Sequence, residues 1–158
     1  MSIKITFGLL LVLLTTAFGV NFSEKYGRKR DFYIALENFC TYLKREISFS
    51  STPVGSVVKS FSSDNEDLPA VLSHFAESGG SSEEGLPIYL NEEDKKFIFS
   101  FFSKLGKSDR QNELELVSAF SEEVKKYREA ENRKYEKIKG LSAKLGFFAG
   151  AVIFVVLL

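Results

Sequence analysis

The chain has 158 residues, and its 21 basic and 21 acidic side chains cancel. This balance gives no support to nucleic-acid binding and argues against an acidic disordered protein. One cysteine and one histidine exclude an intrachain disulfide framework and a zinc site of the usual composition. We therefore expect no metal, no cofactor and no nucleic-acid partner. The 16 Phe residues and the absence of Trp predict helices packed through Phe.

Two apolar segments, residues 5–20 and 141–158, border a charged middle. A membrane-spanning helix needs about 20 apolar residues to cross a hydrocarbon core about 30 Å thick. The first segment reaches that length with its neighbours Ile3 and Phe22, and the second reaches it if Lys144 extends its ammonium group to the lipid headgroups. The sequence therefore predicts transmembrane helices over residues 1–22 and 141–158, with a helical domain over residues 23–140.

Basic residues flank both apolar segments on the sides that face the middle of the chain. They are Lys25, Arg28, Lys29 and Arg30 after the first segment, and Arg133, Lys134, Lys137 and Lys139 before the second. Because positive flanks stay on the cytoplasmic side, the domain 23–140 is predicted to be cytoplasmic and the protein to lie in the cell membrane. The alternative is that the first segment is a cleaved signal peptide, which leaves an external domain anchored by the second segment.

The middle of the chain has the apolar spacing of amphipathic helices. Residues 31–47 carry apolar side chains at intervals of three and four. Thr52 and Pro53 are predicted to be the N-cap and first residue of a short helix, and a further apolar stripe covers residues 68–75. Residues 77–91, which include the run SGGSSEEG, are predicted to be a flexible connector.

Two more helices are predicted after the connector. Asn91 and three acidic residues open the first, which Gly106 ends. Residues 108–111, SDRQ, have the S-x-x-Q form of a capping box and open a long helix. No Pro interrupts that helix, so it is predicted to enter the second membrane segment directly, with Gly140 as a hinge. Its charged part, residues 122–139, is predicted to be solvated, and its apolar stripe includes Leu114, Val117, Phe120 and Val124.

The predicted fold class is all-α: a cytoplasmic helical bundle flanked by N-terminal and C-terminal transmembrane helices. Cys40 lies on the apolar face of residues 31–47 and is predicted to be a buried structural thiol, and His74 to be at the surface or half-buried. The chain lacks a phosphate-binding loop, a dinucleotide-binding glycine motif and a credible Ser/His/acid set. The acidic residues 83–84 and 92–94 are predicted to be unburied, which is unsuited to acid–base catalysis. We therefore expect no enzymatic activity.

Several short segments occur in an order that resembles stage III sporulation protein AB, a family of endospore-forming bacteria. They are residues 45–47 (REI), 52–54 (TPV), 105–111 (LGKSDRQ), 135–138 (YEKI) and 145–150 (LGFFAG). The resemblance covers nearly the whole chain, including both apolar ends. The chain departs from the family around residues 78–90, which are shorter and more polar than the family's helical segment there.

The resemblance implies a non-enzymatic platform or scaffold subunit of a secretion-like channel complex needed for endospore development. The family is similar to the inner-membrane platform protein of type II secretion and type IV pilus machines. The implied location is the mother-cell membrane, and the implied partners are other membrane subunits and a cytoplasmic secretion-type ATPase. The residues themselves also allow a membrane-anchored helical adaptor that self-associates through its C-terminal membrane helix.

Two sets of residues are candidates for contacts with partners. Gly146 and Gly150 form a GxxxG step, which lets the first membrane helix or a second copy of the chain pack closely. The other set lies in two turns of the cytoplasmic domain and comprises Thr52, Pro53, Gly106, Ser108, Asp109, Arg110 and Gln111. The alternative interpretation of both turns is local helix capping.

Overall fold

The computed structural model describes residues 2–50, 52–80 and 85–157, and it describes side-chain packing for residues 10, 14, 27–50, 52–80, 85–142, 144–145, 147–149 and 151–152. Within these ranges the chain forms helices and no strands, which confirms the all-α class. The helices are α1 Ser2–Phe49, α2 Val54–Ser60, α3 Asp67–Ser78, α4 Glu92–Phe102 and α5 Arg110–Leu157.

The chain divides into two compact units. One comprises Met1–Arg30 with Ala130–Leu158, and the other is Asp31–Glu129. Helix α1 continues through residue 22, where we expected a boundary between a membrane helix and the bundle. Gly27 is the residue that disfavours helix most between residues 21 and 31, and one glycine costs about 1 kcal/mol, too little to end a long helix.

Neither predicted membrane segment is confirmed. Among the described residues, no helix is both long enough and apolar enough to cross a bilayer. Most side chains of the first segment lie outside the described residues, as do those of residues 143, 146, 150 and 153–158 in the second.

The core of the unit Asp31–Glu129 is aromatic, as the Phe content predicted. The stripe predicted for residues 31–47 is buried, and its members Phe32, Leu36, Phe39, Cys40 and Leu43 are fully inaccessible. The Phe101 and Phe120 rings stack with centroids 3.8 Å apart, and those of Phe75 and Phe102 with centroids 4.3 Å apart. Each such pair stabilises the fold by about 0.5–1.5 kcal/mol beyond its buried area.

The single cysteine and the single histidine both lie in the unit Asp31–Glu129. Cys40 is fully buried, and its burial, with the nearby Glu37 charge, raises the pKa of the thiol to about 12. His74 is half-buried, as predicted, and the backbone of Gly85 lies close to its imidazole ring. Cys40 therefore serves packing, whereas the Nε2 of His74 is buried without a hydrogen-bond partner among the described residues.

The connector predicted to be flexible is packed against the core where the structure describes it. Gly80 has φ +74°, and a Cβ there would lie 2.6 Å from the carbonyl oxygen of Phe102. Leu86 and Leu90 are 9% and 2% exposed. The prediction is wrong for these residues because the polar run is followed by apolar side chains that reach the core. No helix occurs in the described part between Ser78 and Glu92.

Helix α4 begins with the predicted cap. The Asn91 Oδ1 accepts a hydrogen bond from the Asp94 N–H at 2.8 Å, and Asp94 Oδ2 accepts one from the Asn91 N–H at 3.1 Å. Contrary to prediction, Asp94 is buried, at 1% exposed, because its Oδ1 also accepts the Tyr33 hydroxyl proton at 2.7 Å. This carboxylate therefore joins the start of α4 to the buried face of α1.

In the other unit, α1 and α5 are joined by charged and aromatic contacts. Glu131 is 5% exposed, and its Oε1 lies 3.3 Å from Lys29 Nζ and 2.8 Å from Lys134 Nζ. The Arg30 guanidinium stacks 4.0 Å from the Tyr135 ring centroid. The stretch 122–139 is therefore not uniformly solvated as predicted, because Glu131 pairs with basic residues of both helices.

Candidate docking cleft

The turn between α1 and α2 is held by two hydroxyl side chains. The Thr52 N–H donates to Ser50 Oγ at 3.1 Å, and the two hydroxyl groups share a hydrogen bond. Pro53, not Thr52, occupies the N-cap position of α2, with φ −58°, ψ 137° and no side-chain cap. The predicted Thr52 cap is therefore wrong, because that side chain is committed to Ser50.

The loop between α4 and α5 turns at Gly106. Helix α4 ends at Phe102, about one turn before the predicted stop, and Gly106 has φ +79°, which favours glycine. A Cβ on Gly106 would lie 3.7 Å from the Val54 Cβ. The loop therefore rests on the first residue of α2.

The start of α5 is capped one residue later than predicted. Helix α5 begins at Arg110, and Asp109 Oδ1 accepts a hydrogen bond from the Asn112 N–H at 3.0 Å. The capping box predicted for residues 108–111 is therefore wrong, because Asp109 takes the cap position. The Ser108 N–H instead donates to Glu113 Oε1 at 3.0 Å.

The two turns meet around one open cleft of about 430 Å³ within the unit Asp31–Glu129. Its lining residues are Ile47, Ser50, Thr52, Pro53, Val54, Gly55, Gly106, Ser108, Arg110 and Glu113. Five of the predicted contact residues are among them. Asp109 and Gln111 are not, since Asp109 caps α5 and the Gln111 amide donates to Glu115 Oε1 at 3.1 Å. The structure thus brings together two turns that are distant in sequence.

Glu113 is the lining residue that sequence reasoning missed. It is 2% exposed, and its Oε2 is buried without a hydrogen-bond partner among the described residues. The signal was its spacing, because Glu113 precedes the buried Val117 and Phe120 by four and seven residues and therefore shares their helix face. Leu114, which we assigned to that stripe, is only half-buried.

The remaining predicted positions lie on α5. Gly140 is helical and exposed, and no atom lies within 4 Å of the position its Cβ would take, so its role as a hinge stays a prediction. Gly146 and Gly150 fall within α5 but outside the residues whose packing the structure describes.

A helical unit with an open cleft between two turns defines an all-α protein with a candidate docking surface. The model of the family described as stage III sporulation protein AB matches residues 4–158, so the chain belongs to that family. The resemblance read from the sequence is thereby confirmed, and membership assigns the protein a role in sporulation. No curated protein and no solved structure gives a significant match.

Proposed function

We propose that this sporulation protein is a non-enzymatic platform subunit of a membrane complex, anchored by its two apolar segments. The observation that carries the proposal is the cleft, in which two turns predicted to be contact surfaces form one site. Phe49, adjacent in sequence to the lining residue Ser50, is 88% exposed. Single exposed apolar side chains are common on protein surfaces, so support for a docking site comes from the cleft and not from Phe49 alone.

Exposed apolar side chains near the end of α5 support membrane anchoring. Leu141, Leu145, Phe148 and Val152 are 55%, 59%, 63% and 63% exposed. Their intervals of four, three and four residues place them on one side of the helix. Such a stripe is unfavourable in water and favourable against lipid or another membrane helix.

The proposed position of the helical unit Asp31–Glu129 is the cytoplasm. It is tested by replacing Cys40 with Ala and introducing a single cysteine at Lys107, which is exposed in the α4–α5 loop. An impermeant thiol reagent is expected to label this variant only after the cells are lysed. Labelling of intact cells would overturn the cytoplasmic placement. The unaltered protein serves as the control, because its buried Cys40 is expected to stay unlabelled in both samples.

The proposed partners are a cytoplasmic secretion-type ATPase and other membrane subunits. We expect both to co-purify with the tagged full-length protein from membranes of sporulating cells, identified by mass spectrometry. The matched control is the same purification from vegetative cells that express the tagged protein. Recovery of the tagged protein alone from sporulating membranes would contradict the platform role.

A further inference from the structure

We infer that the cleft binds a basic side chain, arginine or lysine, of a partner protein and that Glu113 is its acceptor. The inference rests on the proposed function, because it names the chemistry of the partner at the same cleft. It is carried by a carboxylate that is buried, lines an open cleft and has one oxygen without a partner among the described residues.

One oxygen of Glu113 has a structural role in the unbound protein. Oε1 accepts the Ser108 N–H, and the carboxylate lies in the first turn of α5, where negative charge complements the helix dipole. Neither of these roles supplies Oε2 with a hydrogen-bond donor. A buried acceptor left without a donor costs about 1–3 kcal/mol, and more if it is charged. The Ser108 hydrogen bond and the helix dipole therefore account for one oxygen of Glu113 and leave the other without a partner among the described residues.

No donor of the lining residues is hydrogen-bonded to this oxygen in the unbound protein. Arg110 also lines the cleft, but its guanidinium donates to the carbonyl oxygen of Ser48. The hydroxyl groups of Ser50 and Thr52 are hydrogen-bonded to each other. A donor from a partner would satisfy this oxygen, and a cationic donor suits a buried carboxylate best because charge-assisted hydrogen bonds are the stronger ones.

The remaining lining suits the aliphatic part of a basic residue and its apolar neighbours. Ile47, Pro53 and Val54 supply apolar surface, and no atom lies within 4 Å of the position that a Cβ on Gly55 would take. Exposed Phe49 offers a further apolar contact next to Ser50. A segment that presents arginine or lysine between apolar side chains therefore matches both the charge and the polarity of this surface.

The test uses the full-length protein in detergent micelles and two short probe peptides. One is acetyl-Leu-Arg-Leu-amide, and the other has citrulline, the neutral isostere of arginine, in the central position. Binding is followed by the backbone amide NMR signals of Gly55 and Gly106, both of which line the cleft. We expect the arginine peptide to shift both signals and to bind at least tenfold more tightly than the citrulline peptide.

Two variants separate the proposed role from a purely structural one. Glu113→Gln keeps an oxygen for the Ser108 N–H and removes the charge, and it is expected to weaken the arginine peptide at least tenfold while the protein stays folded. Glu115→Gln removes a charge from an exposed position of the same helix. It is expected to change neither the affinity for the arginine peptide nor the thermal unfolding midpoint. Equal binding of both peptides to the unaltered protein would overturn the inference even if Glu113→Gln fails to fold.

Two further outcomes would also overturn the inference. If neither peptide shifts the signals, the inference fails. If Glu113→Gln lowers the unfolding midpoint and leaves peptide binding unchanged, Glu113 is a structural residue and the inference fails. In either case, co-purification of an ATPase and membrane subunits would still support the platform role, so failure of the inference is distinguishable from failure of the proposed function.

Discussion

Cys40 and Glu113 are buried to nearly the same extent, with opposite consequences for their chemistry. A thiol loses little on burial, because its neutral form is nearly apolar, and it becomes unreactive because the charged form is disfavoured. A carboxylate without a full set of donors keeps its capacity to accept a hydrogen bond. Burial therefore marks Cys40 as packing and Glu113 as a candidate binding group.

Cys40 is predicted to be unreactive in the folded protein. With a pKa of about 12, the thiol at pH 8 is ionised in only about one molecule in ten thousand. We expect an aromatic disulfide reagent to react with Cys40 no faster than the protein unfolds, and to react completely in denaturant. Rapid stoichiometric reaction of the folded protein would contradict this assignment.

The same thiol predicts a loss of stability at alkaline pH. Folding raises the pKa of the Cys40 thiol from 9.0 to about 12. The contribution of the protonated thiol to the free energy of unfolding is therefore fully present below pH 9 and is lost as the pH rises towards 12. Over that range the free energy of unfolding is expected to fall by up to about 1.4 kcal/mol per pH unit. The control is Cys40→Ala, unfolded with denaturant at each pH. Its free energy of unfolding is expected to fall less steeply with rising pH.

Two glycines form a matched pair for testing the packed connector. Gly80→Ala is expected to lower the free energy of unfolding by at least about 2 kcal/mol, since it combines a positive φ with a clash against the Phe102 carbonyl. Gly55→Ala, in α2 with open space around it, is expected to raise stability by about 0.5–1 kcal/mol. Urea unfolding measures both, and equal effects would show that the connector is not packed as described.

At the scale of elements, helix identity was predictable and helix starts were less so. The apolar spacing of residues 31–47 identified a buried helix face, because apolar residues that recur every three or four positions line one side of an α-helix and not one face of a strand. The caps at Thr52 and Ser108 were each placed one residue early. Pro53 takes the cap position of α2 because the Thr52 hydroxyl bonds Ser50, and Asp109 takes that of α5. The choice among adjacent residues therefore depends on which local side-chain hydrogen bonds form.

The start of α4 is expected to depend more on Asp94 than on Asn91. Asn91→Ala removes one cap and is expected to cost about 1 kcal/mol of stability. Asp94→Ala removes the reciprocal cap bond and the buried acceptor of Tyr33, so a cost of about 2–4 kcal/mol is expected. Glu92→Ala, exposed in the same turn, is the control and is expected to change stability by less than about 0.5 kcal/mol. Equal losses for Asn91→Ala and Asp94→Ala in urea unfolding would contradict the buried role of Asp94.

At the scale of the whole molecule, the sequence predicted the all-α class and the family. It predicted only part of the cleft. Both of its turns were identified by their local chemistry. Their meeting depends on the packing of α1, α2, α4 and α5, for which one sequence carries no pairwise signal. Glu113 was missed because a single carboxylate on an apolar stripe is read as an irregularity until its burial is known.

The central claim is that the cleft is where the platform meets its cytoplasmic partner. The direct test places a photo-crosslinking amino acid at Lys107, beside the cleft residues Gly106 and Ser108, in sporulating cells. The control carries the same amino acid at Glu123, exposed further along α5. We predict that Lys107 crosslinks to the secretion-type ATPase and Glu123 does not. A crosslink from Glu123 with none from Lys107 would contradict the claim.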